Sequence, residues 1–223
     1  MASFEVLGTI TGVSPLLQSN PTHHHPSDGL EKLTGPIRSK RMKTEEDHVA
    51  LARLGFLASA HWRHENMIDG VEIDANGNVS FDGFTDPIVP ADMLRASLAE
   101  SSKALKNRMG SAFDRGVQVL DDFTLEYDGP KDCNGMWEKG YYRNHGGSRN
   151  GGKLVWITRV CIPADWRVNF KLLCDSTQVE LTELQRMIEA AGRYIGIGSW
   201  RPANGGRYGR FVLDAFQANE LAL

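Results

Sequence analysis

The sequence predicts an α+β fold, a βαββαβ core carrying two large insertions. Three observations predict it. Strand-like alternation recurs near the start, middle and end of the 223 residues. Two segments with helical spacing and end signals lie between those strands. The residues that interrupt this order fall into two blocks, 13–89 and 128–164, so the chain reads as one elaborated domain over 1–223.

The first strand is Phe4, Val6 and Ile10 alternating with Glu5, Leu7, Thr9 and Thr11, and it ends near Gly12. Prolines 15, 21, 26 and 36 make 14–36 a loop, and Arg38, Lys40, Arg41 and Lys43 form a basic arm after it. The run His23, His24, His25 reads as solvated loop, because three consecutive residues cannot share one face of a regular element. Thr44 with Asp47 three residues on is a capping signature for a helix over about 45–61, continued by Ala50, Leu51, Leu54 and Leu57. His61 and His64 at its end lack a carboxylate partner in any ligand motif. A hairpin follows, with Val71 and Ile73 facing Val79 and Phe81 across a turn at Ala75-Asn76-Gly77-Asn78. Asp74, Asn76 and Asn78 imitate a calcium loop, but Val79 and Thr85 occupy the positions that need glycine and glutamate.

Pro90 opens the first core helix, with Leu94, Leu98, Leu105 and Met109 on one stripe and Gly110 as its stop. Val117, Val119, Phe123, Leu125 and Tyr127 then alternate as one strand. After a basic, glycine-rich insertion come an apolar strand at 154–162 and an alternating one at 166–172. Thr182 and Gln185 give a capping box for a third helix ending at Gly192, and a strand over about 207–215 closes the chain. With the insertions removed, the order is that of ferredoxin-like and RNA-recognition (RRM) folds.

Apolar residues at 41% and charged residues at 24% are ordinary globular values and exclude disordered or collagenous classes. The N-terminal segment lacks the basic and apolar regions of a secretory signal and no window is a membrane span, so a soluble cytoplasmic protein is expected. Cys133, Cys161 and Cys174 have no CxxC spacing and read as reduced thiols. No cofactor and no metal is expected.

A net charge of −3 hides strong patterning. Residues 139–164 carry five basic side chains and no acid, and 190–213 carry four and no acid. Residues 44–100 hold eleven acids against three arginines. Seven of the 23 glycines lie in 129–152 and six in 192–209. Basic, glycine-rich, aromatic-bearing loops suit an anion-tracking surface, while the plainer reading is flexible solvated loops. Trp156, Trp166 and Phe211 read as core, and Trp200 as either core or an exposed stacking face.

Three motifs carry a resemblance: Gly8-Thr9-Ile10-Thr11-Gly12-Val13-Ser14-Pro15-Leu16-Leu17, Ile88-Val89-Pro90-Ala91-Asp92-Met93-Leu94, and Gly196-Ile197-Gly198-Ser199-Trp200-Arg201-Pro202 running on to Gly209-Arg210-Phe211. In order and spacing they resemble the CRISPR-associated RAMP superfamily, in particular its crRNA-binding backbone subunit, although the chain is short and weakly basic for one. The resemblance implies a modified RRM that binds single-stranded RNA without catalysis and assembles with copies of itself and other effector subunits. It also implies a web- or finger-like role for the first insertion and a thumb-like role for the second. Joined to the charge map, it nominates Arg201, Arg207 and Arg210 for phosphates, the Gly196 to Gly198 backbone for close approach, and Trp200 or Tyr208 for stacking. Arg38, Lys40, Arg41, Arg143, Arg149 and Arg159 complete the candidate contacts. Two alternatives stand beside this reading: a protein-interaction inhibitor or decoy using the acidic 44–100 region, and a metal-independent endoribonuclease built on His145 near Tyr141, Tyr142 and Arg143.

Overall fold

The computed structural model describes residues 2–20, 29–63, 69–74, 78–105, 109–150 and 153–221, without the side chains of 148–150 and 153–155. The histidine run, His64 and the 75–77 turn lie outside the described residues. In chain order the elements are β1 (Ser3–Gly12), β2 (Leu16–Leu17), α1 (Leu30–Arg38), α2 (Glu45–Ser59), β3 (Val71–Ile73), β4 (Val79–Phe81), β5 (Ile88–Val89), α3 (Ala91–Ala104) and α4 (Gly110–Gly116). They continue with β6 (Val117–Val119), β7 (Phe123–Glu126), α5 (Cys133–Glu138), β8 (Arg143–Asn150), β9 (Lys153–Ile162), β10 (Arg167–Asp175), α6 (Leu181–Ala190) and β11 (Phe211–Leu221). The chain divides into two compact units, one of residues 1–16, 88–127 and 163–223, the other of 17–87 and 128–162.

The first unit is an antiparallel sheet in the order β11-β1-β10-β7-β5, with β6 also on β10. Connected through α3 and α6, this is the βαββαβ ferredoxin-like order that the sequence predicts. Val6 and Ile10 on β1 and Val168, Phe170, Leu172 and Cys174 on β10 are buried on one face, where Leu94 and Leu98 of α3 and Leu184, Met187 and Ile188 of α6 are also buried. Glycine makes the tight places in that packing: a Cβ on Gly8 would stand 2.2 Å from the Phe170 ring, and one on Gly12 would stand 2.0 Å from the Trp166 indole. Each ring therefore lies over a missing side chain, and Trp166, fully buried, donates from Nε1 to the Ser14 carbonyl at 2.9 Å.

Several expected boundaries move. The strand expected over 117–127 is broken: Val119 faces Leu172 but Leu125 faces Val168, so the register shifts across 120–122. The shift places Asp122 where its carboxylate accepts from the Ala91 amide at 2.8 Å, filling one of the donors left open at the start of α3. Gly110, expected to stop that helix, opens α4 instead. Thr182 and Gln185 form no capping box, since α6 begins after Glu180. Nor does the helix stop at Gly192: a π-helical turn over Ala191–Ile195 carries it to Gly196 at φ 74°. Gly192 is there because a Cβ would lie 2.1 Å from the Phe211 carbonyl oxygen. The last strand starts and ends later than expected.

The second unit holds the three-stranded sheet β2-β9-β8, with β2 at the boundary between the units, and the hairpin β3-β4, in which Val71 faces Phe81 and Ile73 faces Val79 as expected. Helix α2 starts on the expected capping box: the Thr44 hydroxyl accepts from the Asp47 amide and the Asp47 carboxylate accepts from that of Thr44. It packs on β9, and the Ser59 hydroxyl accepts from the Val160 amide at 2.8 Å. Phe56, Leu57, Trp62, Phe84, Met136, Tyr142, Val160 and Ile162 are buried in this unit. The expected loop over 14–36 contains part of α1, in which Leu30, Thr34 and Ile37 are buried at helical spacing although Pro36 lies inside it. The second insertion is likewise ordered, as α5 followed by the hairpin β8-β9.

Candidate nucleic-acid interface

In the first unit, the open face of the sheet consists of polar side chains that satisfy one another. Thr9 donates to Asn169 at 2.8 Å, Asn169 donates to Glu126 at 2.9 Å, Lys171 pairs with Glu5 at 2.5 Å, and Thr11 donates to Asp214. Leu7 of β1 and Val212 and Leu221 of β11 are exposed aliphatics. Among the described residues the face carries none of the aromatic side chains on which RRM sheets stack bases. Aromatic and cationic groups in this unit gather instead on the segment between α6 and β11.

That segment is tightly folded. Ile197 is buried, its amide donates to the Gly209 carbonyl at 2.9 Å, and the Gly209 amide donates to Pro15 at 2.8 Å. Gly206 and Tyr208 amides reach the Arg201 and Trp200 carbonyls at 3.0 and 3.2 Å. A Cβ on Gly206 would fall 1.7 Å from the Trp200 oxygen. The crossed backbone holds Trp200 at φ 50°, a conformation costly for a bulky residue, with 53% of it exposed. Trp200 is therefore not a core residue, and Phe211 is.

Two arginines lie over neighbouring rings: Arg193 is 5.5 Å from the Tyr194 centroid, and Arg207 is 5.3 Å from that of Tyr208. Tyr194, half exposed, was not among the residues nominated from sequence; its only signal there was its place beside an arginine in an acid-free stretch. Arg210 is exposed, with its amide on the Ser14 hydroxyl and Nη1 on the Arg193 carbonyl. Arg201 pairs with Glu100 of α3 at 2.9 Å, and its side chain is only 23% exposed. The glycines also differ from expectation: the Gly196 amide donates to Ala191 and its carbonyl accepts from Ser97, so neither group points to a ligand. Gly198, at φ 78°, serves the turn leading to Trp200.

The remaining candidates belong to the second unit. Arg38 ends α1 and pairs with Glu31 at 3.0 Å, Lys40 pairs with Asp47 at 2.5 Å, and Arg41 is exposed. The basic arm is thus partly tied down. Lys40 and the Thr44 amide hold the Asp47 carboxyl below its ordinary range. Arg143 stacks on Trp137, 4.8 Å from the ring centroid. Arg149 faces Leu154 across β8-β9, its side chain outside the described residues. Arg159 is 9% exposed, and burial lowers its pKa, so its guanidinium is not presented to solvent. Trp156, expected in the core, is 73% exposed opposite Gly147, which offers no side chain to cover it.

His145 is exposed, with Nδ1 3.0 Å from the Thr158 hydroxyl, while Tyr142 is buried with its hydroxyl on the Asp128 carbonyl. Among the described residues no group of His, Cys, Asp and Glu could hold a metal ion, and no helix is long and apolar enough to cross a membrane.

No family model matches this chain, and no curated protein matches it. Among solved structures it is similar, at 11% identity and a TM-score of 0.43, to a chain in the cryo-EM structure of the Type III-B Cmr-beta bound to cognate target RNA. The similarity covers 97% of this chain and 61% of that one, so the chain spans about three fifths of its length.

Proposed function

We propose that this protein is a non-catalytic single-stranded nucleic-acid-binding protein, RNA preferred, which assembles side by side along the strand within a CRISPR-type or related ribonucleoprotein. The observation that carries the reading is the loop at 193–210, where Trp200 is held exposed at positive φ beside the Arg193–Tyr194 and Arg207–Tyr208 pairs. Rings of this kind offer faces to bases and guanidinium groups reach phosphates, a sequence-tolerant mode of binding. The sheet, with its self-satisfied polar ladder, supports the loop and does not read bases. The motif resemblance supplies the CRISPR-type setting and the partners, RNA and further copies of the chain.

The test is fluorescence anisotropy of a labelled single strand of roughly 30 nucleotides, as RNA and as DNA, at two salt concentrations, with light scattering for assembly. The expected result is salt-sensitive binding, tighter for RNA, with mass growing along the strand. Absence of binding to either strand at low salt overturns the reading in favour of a protein-contact role.

A further inference from the structure

Three elements of the second unit converge on one indole. Trp137 of α5 is set edge-on to Phe56 of α2, with ring centroids 5.4 Å apart. Arg53 of α2 brings its guanidinium carbon to 5.4 Å from the Trp137 centroid and 5.4 Å from that of Phe81. After α5 the chain reverses at Gly140, φ 71°, and the Arg143 amide donates to the Gly140 carbonyl, returning Arg143 to the same indole at 4.8 Å.

Packing alone leaves this arrangement incomplete. Nε of Arg53 and Nε of Arg143 are both buried and neither has a hydrogen-bond partner. Among the described residues no carboxylate stands within ion-pair distance of either guanidinium. Arg53 makes one side-chain hydrogen bond, from Nη2 to Asn134 at 3.1 Å, and Asn134 is itself fixed by donating to the Phe81 carbonyl. Burial, then the nearby Arg143 charge, lower the Arg53 pKa against opposing contributions from Cys133 and Glu138. Arg53 also borders a cleft of about 270 Å³, which Glu45 and Glu46 line without pairing with the arginine.

We propose that Arg53 and Arg143, braced on Trp137, form a binding site for a phosphate group. A phosphate brings enough charge and enough oxygens to satisfy two guanidinium forks, whereas a carboxylate, with one charge and two oxygens, leaves one fork unmatched. The site lies in a different unit from the 193–210 loop and stands independently of the strand-binding reading.

The test is calorimetric titration of the full chain with inorganic pyrophosphate at constant ionic strength, against a sodium chloride control. The wild-type chain is expected to bind pyrophosphate. Arg143→Gln is expected to lose about tenfold or more in affinity, Arg53→Gln likewise, and Arg115→Gln, an exposed arginine of α4 in the other unit, is expected to bind as wild type. Thermal melts check that each variant is folded, and Arg143→Gln, on the β8 strand, decides the matter should the α2 variant unfold. No pyrophosphate binding beyond the chloride control, or binding that Arg143→Gln leaves unchanged, overturns the proposal. Competition then identifies the source: displacement by single-stranded RNA assigns the phosphate to a strand, displacement only by a nucleoside triphosphate assigns it to a free nucleotide. Pyrophosphate binding without any RNA binding would sink the proposed strand function and leave this site standing.

Discussion

Charge changes at the 193–210 loop should act with opposite signs at neighbouring positions. Each phosphate neutralised on a single strand adds roughly 0.7 to the slope of log affinity against log salt, so one lost contact shrinks the affinity drop between about 50 and 200 mM salt by about 2.6-fold. Arg207→Gln should flatten the slope by that amount, and the double variant with Arg193→Gln by about 1.4, or roughly sevenfold over the same range. Glu100→Gln should do the reverse. It releases Arg201 from its 2.9 Å pair, adds a free guanidinium to the path and steepens the slope by up to about 0.7. The pair is partly exposed and contributes at most about 1 kcal/mol to folding, so melting curves should barely move. The assay is anisotropy over a salt series for each variant. Equal slopes for wild type, Arg207→Gln and Glu100→Gln would refute the assignment of this loop as the phosphate path.

Trp200→Gly should weaken strand binding by about 1–3 kcal/mol whatever the base sequence, through loss of stacking, yet raise the thermal midpoint by relieving the positive-φ strain at this position. Gly206→Ala should destabilise the fold by more than about 1 kcal/mol in denaturant titration, because its Cβ would collide with the Trp200 backbone. Asp47, with its carboxyl pKa lowered by Lys40 and the Thr44 amide, should contribute stability that is present above the ordinary carboxylate range and lost as pH falls through the lowered value. An acid titration of melting temperature in wild type and Asp47→Asn checks this: the variant should lack that part of the acid-side loss. Cys133 and Cys174 should resist a thiol reagent at pH 8 until the protein is unfolded, since burial raises both, Cys174 to about 11.

Period-two alternation in β1 and β10 and the Thr44–Asp47 box were legible because they are local patterns dictated by one buried face or one helix end. The α1 helix was not, because Gly35 and Pro36 outweigh three buried positions until the rest of the unit is there to pack against them. At the site, composition pointed to the right loop but not to the roles within it. Arg201 and Arg207 are indistinguishable in sequence, and the approach of Glu100 to Arg201 from a helix about a hundred residues earlier is not legible there. Glycine's abundance was likewise legible while its reason was not: Gly192, Gly206 and Gly209 admit other backbone of the same chain. Trp156 was misassigned because an apolar strand pattern does not tell which residue lies opposite, here Gly147 with no side chain.

The most direct test of the central claim is photo-crosslinking of single-stranded RNA carrying 4-thiouridine to the full chain, with the adducts mapped by mass spectrometry. The account predicts adducts at Tyr194, Trp200 or Tyr208 that disappear in the Arg193→Gln, Arg207→Gln double variant. Crosslinks confined to the open face of the sheet, or none at protein concentrations well above the wild-type dissociation constant, would contradict it.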